Sequence, residues 1–135
     1  MSKRQDAEKR FRERYAARAT EATLIIEREV IGANVGANGY TTVAQADLLA
    51  ERLQLRPDAL LLDIGCGRGW PGLYIAEKTG CRVVLSDVPV AALRAAKRTA
   101  GSRNLSGRAV AVRASGTHLP FPADSFDAIT HTDAL

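Results

Sequence analysis

Two cysteines, two histidines and an aromatic share of 5% leave this 135-residue chain short of several chemistries. Cys66 follows the first predicted strand and Cys81 opens the second. In a parallel sheet those points are opposite ends, about 15 Å apart, whereas a disulfide needs Cα atoms within about 7 Å. Free thiols are therefore expected. His118 and His131 have no ligand spacing with the cysteines, so no metal site is expected. The chain also lacks a basic stripe interleaved with aromatics. Its net charge is +4, but acids and bases alternate, which describes a solvated surface better than a nucleic-acid footprint. No apolar run approaches the ~20 residues of a membrane span, and the charged start has no apolar leader-like core. A cytoplasmic protein that acts on a small molecule, off membranes and off nucleic acid, is the expectation.

What is present is ordinary globular composition, 46% hydrophobic and 25% charged, at a length suited to one domain. The stretch Leu60–Tyr74, LLLDIGCGRGWPGLY, stands out. A short apolar run ends in Asp63 and Ile64, glycines follow at positions 65, 67 and 69, and Pro71 precedes an apolar-periodic segment. Strand, glycine turn, helix N-terminus is the reading. Such a turn lets a ligand lie against bare backbone. Gly67–Gly72 also fits the G-x-G-x-x-G pattern of dinucleotide enzymes, so a NAD(P)-dependent oxidoreductase is an alternative. Asp63 separates the two: a carboxylate at the mouth of the turn repels a pyrophosphate and attracts a cation.

The acid-x-Gly-x-Gly-x-Gly core formed by Asp63, Gly65, Gly67 and Gly69 resembles the first motif of class I S-adenosylmethionine-dependent methyltransferases. Leu119-Pro120-Phe121, then Ser125-Phe126-Asp127 before an apolar strand, resembles a second signature of that superfamily. The resemblance implies an α/β, Rossmann-like, open and mainly parallel sheet with helices on both faces. Four strands are visible, in the order 3-2-1-4: Leu60–Ile64, Arg82–Ser86, Ala109–Arg113 and about Asp127–His131. The family has seven, so the chain reads as the cofactor-binding part of a longer enzyme, or as a form that self-associates through an unpaired strand-four edge. A non-catalytic cofactor-binding or regulatory module is a further alternative.

Residues 2–30 are charged and carry an apolar stripe, Phe11, Tyr15, Ala19, Ala22, Ile26 and Val30, at helical steps. One long helix is predicted, either packed on the domain or closing over its ligand. Residues 31–42 are glycine- and asparagine-rich loop, and Thr42 with Gln45 makes a capping box for a helix over about Val43–Leu55. This divides the chain into residues 1–42, a lid or cap, and residues 43–135, the cofactor domain.

The resemblance implies S-adenosyl-L-methionine as cofactor and S-adenosyl-L-homocysteine as product. Asp63, Gly65, Cys66, Gly67 and Gly69 would form the cradle. Tyr40 and Thr41, with Asn38 nearby, would reach the carboxylate end of the cofactor. Asp87, some twenty residues past the glycines at the end of strand two, is placed either for the ribose hydroxyls or to cap the helix begun by Pro89. Val88 would meet the adenine face. Ser115 and Gly116 would line the adenine edge, with Ser115 where the family commonly has an Asp. His131, after strand four, would be a general base or a hydrogen-bonding group at the cleft edge.

Overall fold

The computed structural model describes residues 2–16, 20–37 and 39–132. Helices α1 (Lys3–Ala16), α2 (Glu21–Ile31) and α3 (Val43–Leu53) precede the sheet. Strands β1 (Leu60–Ile64), β2 (Arg82–Asp87), β3 (Ala109–Arg113) and β4 (Ala128–Thr130) alternate with α4 (Gly72–Thr79) and α5 (Val90–Ser102). The sheet is parallel, in the order β3-β2-β1-β4. The order is that predicted, and so are the strand limits, except that β2 runs one residue further, to Asp87, and β4 is shorter by a residue at each end. Asp127 stays outside β4 but starts the pairing: its N–H donates to the Leu60 carbonyl at 2.9 Å and its carboxylate accepts the Leu60 N–H at 2.8 Å.

Residues 2–30 are not one helix. The chain restarts at Thr20, whose hydroxyl accepts the Thr23 N–H while the Thr23 hydroxyl accepts the Thr20 N–H. Asp6/Arg10 and Glu8/Arg12 support a helix on paper, but the ion pairs described on α1 run base before acid, Arg4–Glu8 and Lys9–Glu13. Of the stripe, Phe11 and Tyr15 have side chains, and Ala19 its whole placement, outside the described residues. Ile26 and Val30, on α2, are exposed.

The Thr42–Gln45 capping box forms as predicted, at 3.1 and 2.9 Å, and α3 ends two residues early, at Gln54 in the left-handed region. Asp47 fastens α3 to α4, accepting from the Tyr74 hydroxyl at 2.5 Å and pairing with Lys78 at 3.0 Å.

Helices α3, α4 and α5 feed one core with Leu61, Val83 and Leu85 from the strands. The reason is topological. The crossovers β1–α4–β2 and β2–α5–β3 move across the sheet in one direction, and right-handed crossovers in one direction put both helices on one face. The return from β3 to β4 serves the other face, and there residues 114–127 contain no helix. Phe121 and Phe126 meet edge to face within this return, 5.1 Å apart. Helix cover is thus concentrated on one side, while Val110 and Ile129, of opposite inward parity, are 59% and 56% exposed.

Candidate functional site

The carboxyl ends of β1 and β2 are sewn together by the glycine turn. The N–H groups of Gly65 and Cys66 both donate to the Ser86 carbonyl, at 2.8 and 3.0 Å. The Gly67 N–H donates to Asp87 Oδ2 at 2.9 Å, and Asp87 Oδ1 accepts the Val88 N–H at 2.8 Å. Gly67 (φ 56°) and Gly69 (φ 101°) lie in the left-handed region, and a Cβ on Gly69 would run into the Leu73 side chain. Gly67 is demanded by conformation, and Gly69 by conformation and by space.

Asp87 does not cap α5, which begins after Pro89 without a side-chain cap. It closes the turn from below instead. Asp63 sits behind the turn at 1% exposure. Its Oδ1 accepts the Thr130 hydroxyl at 3.0 Å, while Oδ2 is buried with no hydrogen-bond partner. The Gly72 N–H favours the ionised form. Burial above all, then the neighbouring Asp87 charge, pushes the Asp63 carboxyl up to about 7, against the opposing pull of Thr130. Burial, reinforced by the two carboxylates, pushes the Cys66 thiol up as well. Cys66 is wall, not nucleophile.

The other side of the site is built by the end of β3. Ala114 N–H donates to the Asp87 carbonyl at 3.0 Å and Arg113 Nε to the Val88 carbonyl at 3.0 Å. This brings Ser115 and Gly116 beside Asp87 and half-exposed Val88. A Cβ on Gly116 would fall 3.2 Å from Ile64 Cγ2, so this loop closes directly against the last residue of β1. On the near side, Trp70 Nε1 donates to the Thr41 carbonyl at 2.8 Å. Thr41 is buried there, whereas Tyr40 is 79% exposed. Gly36 faces Arg68 of the turn, and Glu27 of α2 accepts the Val35 and Ala37 N–H groups at 2.8 and 3.0 Å. Asn38 lies outside the described residues. His131 follows β4 in solvent, without a hydrogen bond among the described residues.

The structure therefore gathers Asp63, Gly65, Cys66, Gly67, Gly69, Asp87, Val88, Ser115, Gly116 and Thr41 around one turn and leaves Tyr40 and His131 at its margins. Sequence reasoning missed Thr130. Its signal was a hydroxyl in a short apolar strand, in register with Asp63. Among the described residues, no group of three or more His, Cys, Asp or Glu could hold a metal ion, and no helix is long and apolar enough to cross a membrane.

Chemically, a bare backbone turn flanked by two carboxylates suits a ligand that carries cationic and hydroxyl groups. It disfavours a pyrophosphate, which the Asp87 carboxylate and the ionised form of Asp63 both repel.

Comparison with known proteins places this geometry. The model of a methyltransferase domain matches residues 61–135. A methyltransferase of Streptomyces halstedii, GfsG, is 38% identical over 87 residues, which are 64% of this chain and 31% of that protein. The chain spans roughly a third or less of the length of the first curated relatives that it matches. Among solved structures, the [4+2]-cyclase SpnF is 29% identical at a TM-score of 0.61, over 78% of this chain and 44% of that one. An S-adenosylmethionine-dependent methyltransferase of Geobacter sulfurreducens, solved with S-adenosyl-L-homocysteine, shares the fold at a TM-score of 0.63 and 19% identity, over 70% of this chain and 38% of that one.

Proposed function

We propose, because this chain belongs to the methyltransferase domain family, that its glycine turn binds S-adenosyl-L-methionine for methyl transfer to a nucleophilic atom of a small-molecule acceptor. One observation carries the reading: a glycine turn bracketed by Asp87 at its rim and by Asp63, buried, with one oxygen lacking a donor. These residues fit the cofactor. Its ammonium and sulfonium complement the two carboxylates, and its ribose hydroxyls can donate to Asp87. The bound cofactor supplies an electrophilic methyl group and leaves as S-adenosyl-L-homocysteine.

The chain's own groups bind and orient. Asp87 accepts from the ribose while its other bonds hold Gly67 and Val88 in place. Val88 packs on the adenine, and Ser115 and Gly116 line its edge. Gly65, Cys66, Gly67 and Gly69 keep side chains out of the cradle. Tyr40 and Thr41, tied to the turn through Trp70, reach toward the amino-acid end. Residues 1–42 act as a lid or cap over residues 43–135; the bond from Trp70 to Thr41, the approach of Gly36 to Arg68 and the packing of α1 on α5 support this. His131 is placed to take a proton from an acceptor at the open edge, although orientation does most of the work in methyl transfer. A cytoplasmic location accords with this small-molecule role, and the β4 edge is available for self-association.

Calorimetric titration of the folded chain with S-adenosyl-L-homocysteine, with NADH as control, tests the reading. Saturable binding of the first alone is expected. Binding of NADH instead would overturn it.

A further inference from the structure

Ser115 belongs to a hydrogen-bonded chain that nothing in the methyl-transfer reading uses. Its Oγ lies 2.8 Å from Thr117 Oγ1 and accepts the Thr117 N–H at 3.3 Å. Thr117 Oγ1 in turn lies 2.9 Å from His118 Nδ1. The turn that arranges them is closed by the His118 N–H, which donates to the Ser115 carbonyl at 3.1 Å.

We propose that Thr117 and His118 are positioning residues that set whether Ser115 meets the purine edge as an acceptor or as a donor, and so select the base of the cofactor. This rests on the cofactor reading above.

The argument is a count of protons and lone pairs. With Nδ1 bare, the Thr117 hydroxyl donates to it and must accept the Ser115 hydroxyl proton. Ser115 Oγ then holds the Thr117 N–H on one lone pair and offers the other outward. An outward acceptor pairs with an exocyclic amino group, as in adenine. With a proton on Nδ1, the chain reverses: Nδ1–H donates to Thr117, Thr117 donates to Ser115, and both Ser115 lone pairs are taken. Its own proton now points outward, and pairs with a carbonyl oxygen, as in hypoxanthine. A carboxylate at this position could only accept. The serine, wired to an imidazole, can do either.

The charged groups at the adjoining strand ends are already engaged. Asp87 holds the Gly67 and Val88 N–H groups, and Arg113 Nε holds the Val88 carbonyl. Thr117 is the described hydrogen-bond partner of the His118 ring. Asp63, whose carboxyl is held up at about 7 by burial, lies behind the glycine turn. It therefore affects adenine and hypoxanthine forms alike.

The test is the ratio of the affinities for S-adenosylhomocysteine and S-inosylhomocysteine, measured by calorimetry from about pH 8 to about pH 5, the range in which histidines exchange their proton. In the wild type the preference for the adenine form should fall roughly 3- to 10-fold toward acid, the worth of one hydrogen bond. His118→Gln and Thr117→Val should each flatten that dependence, and Thr117→Ser, which keeps the hydroxyl, should restore it. Binding with a ratio that changes with pH equally in the wild type and both variants would overturn the inference and leave the cofactor reading standing. No binding of either ligand at any pH, in a folded sample, would overturn both.

Discussion

At the scale of single residues, two carboxylates on neighbouring strands, Asp63 of β1 and Asp87 at the end of β2, share the site and behave oppositely. Asp87 is half exposed and spends both oxygens on backbone N–H groups. A ligand hydroxyl must add to those bonds, and Asp87→Ala removes the acceptor and the brace on Gly67 together. The expected loss is about 1–3 kcal/mol in S-adenosyl-L-homocysteine binding, the range for hydrogen bonds to a charged acceptor; unchanged calorimetric affinity would remove Asp87 from the site. Asp63 is raised to about 7 in the folded chain from an ordinary 3.8. Between those values the native state holds a proton that the unfolded state has released, so this group's contribution to stability is present at low pH and lost as pH rises toward 7 and beyond. Urea unfolding at pH 5 and pH 8 should show that loss, about 3 kcal/mol from this group, and Asp63→Asn should largely abolish it. An equal pH dependence in the variant would mean that Asp63 is ionised throughout.

At the scale of elements, α4 starts where it does because Gly72 has no side chain. A Cβ there would clash with the Asp63 carboxylate at its Oδ2. Gly72→Ala must push Asp63 or the first turn of α4 aside, at a cost of about 1–3 kcal/mol in thermal or urea unfolding, and should weaken ligand binding as well. Most elements were legible in the sequence because their signals are local. The Thr42/Gln45 box, the apolar run before Asp63 and the glycine after Thr79 each announce a boundary within four residues. The break at Thr20 was not, because its cap uses a second threonine, Thr23, where the usual signature has Glu or Gln, and the apolar stripe runs across the break without a gap. The glycine turn and Asp87 were legible for the site; the Thr130 partner of Asp63 was not, because it lies 67 positions away. The chain Ser115–Thr117–His118 was hidden for a different reason, since it depends on a turn that folds the imidazole back.

At the scale of the whole molecule, the sheet is lopsided. Helices from two crossovers crowd one face, while Val110 and Ile129 show on the other and β4 is an edge among the described residues. An apolar residue at an unpaired strand edge invites a second strand. Sedimentation of the chain should therefore show association that increases with concentration, and Ile129→Lys should shift it toward monomer; a wild type that stays monomeric at high concentration would remove this edge as a contact.

The stitching of β4 to β1 has a consequence in time. The units β1–α4–β2 and β2–α5–β3 join neighbours in sequence, but the bonds from Leu60 to Asp127 and from Thr130 to Asp63 each close a loop of 67 residues. Closing long loops is the slow part of folding. As the chain leaves the ribosome, the glycine turn and Asp87 can form while Thr130 has yet to be made, and Asp63 waits without its donor. Competence to hold a ligand thus waits on β4, long after the glycine turn itself can form.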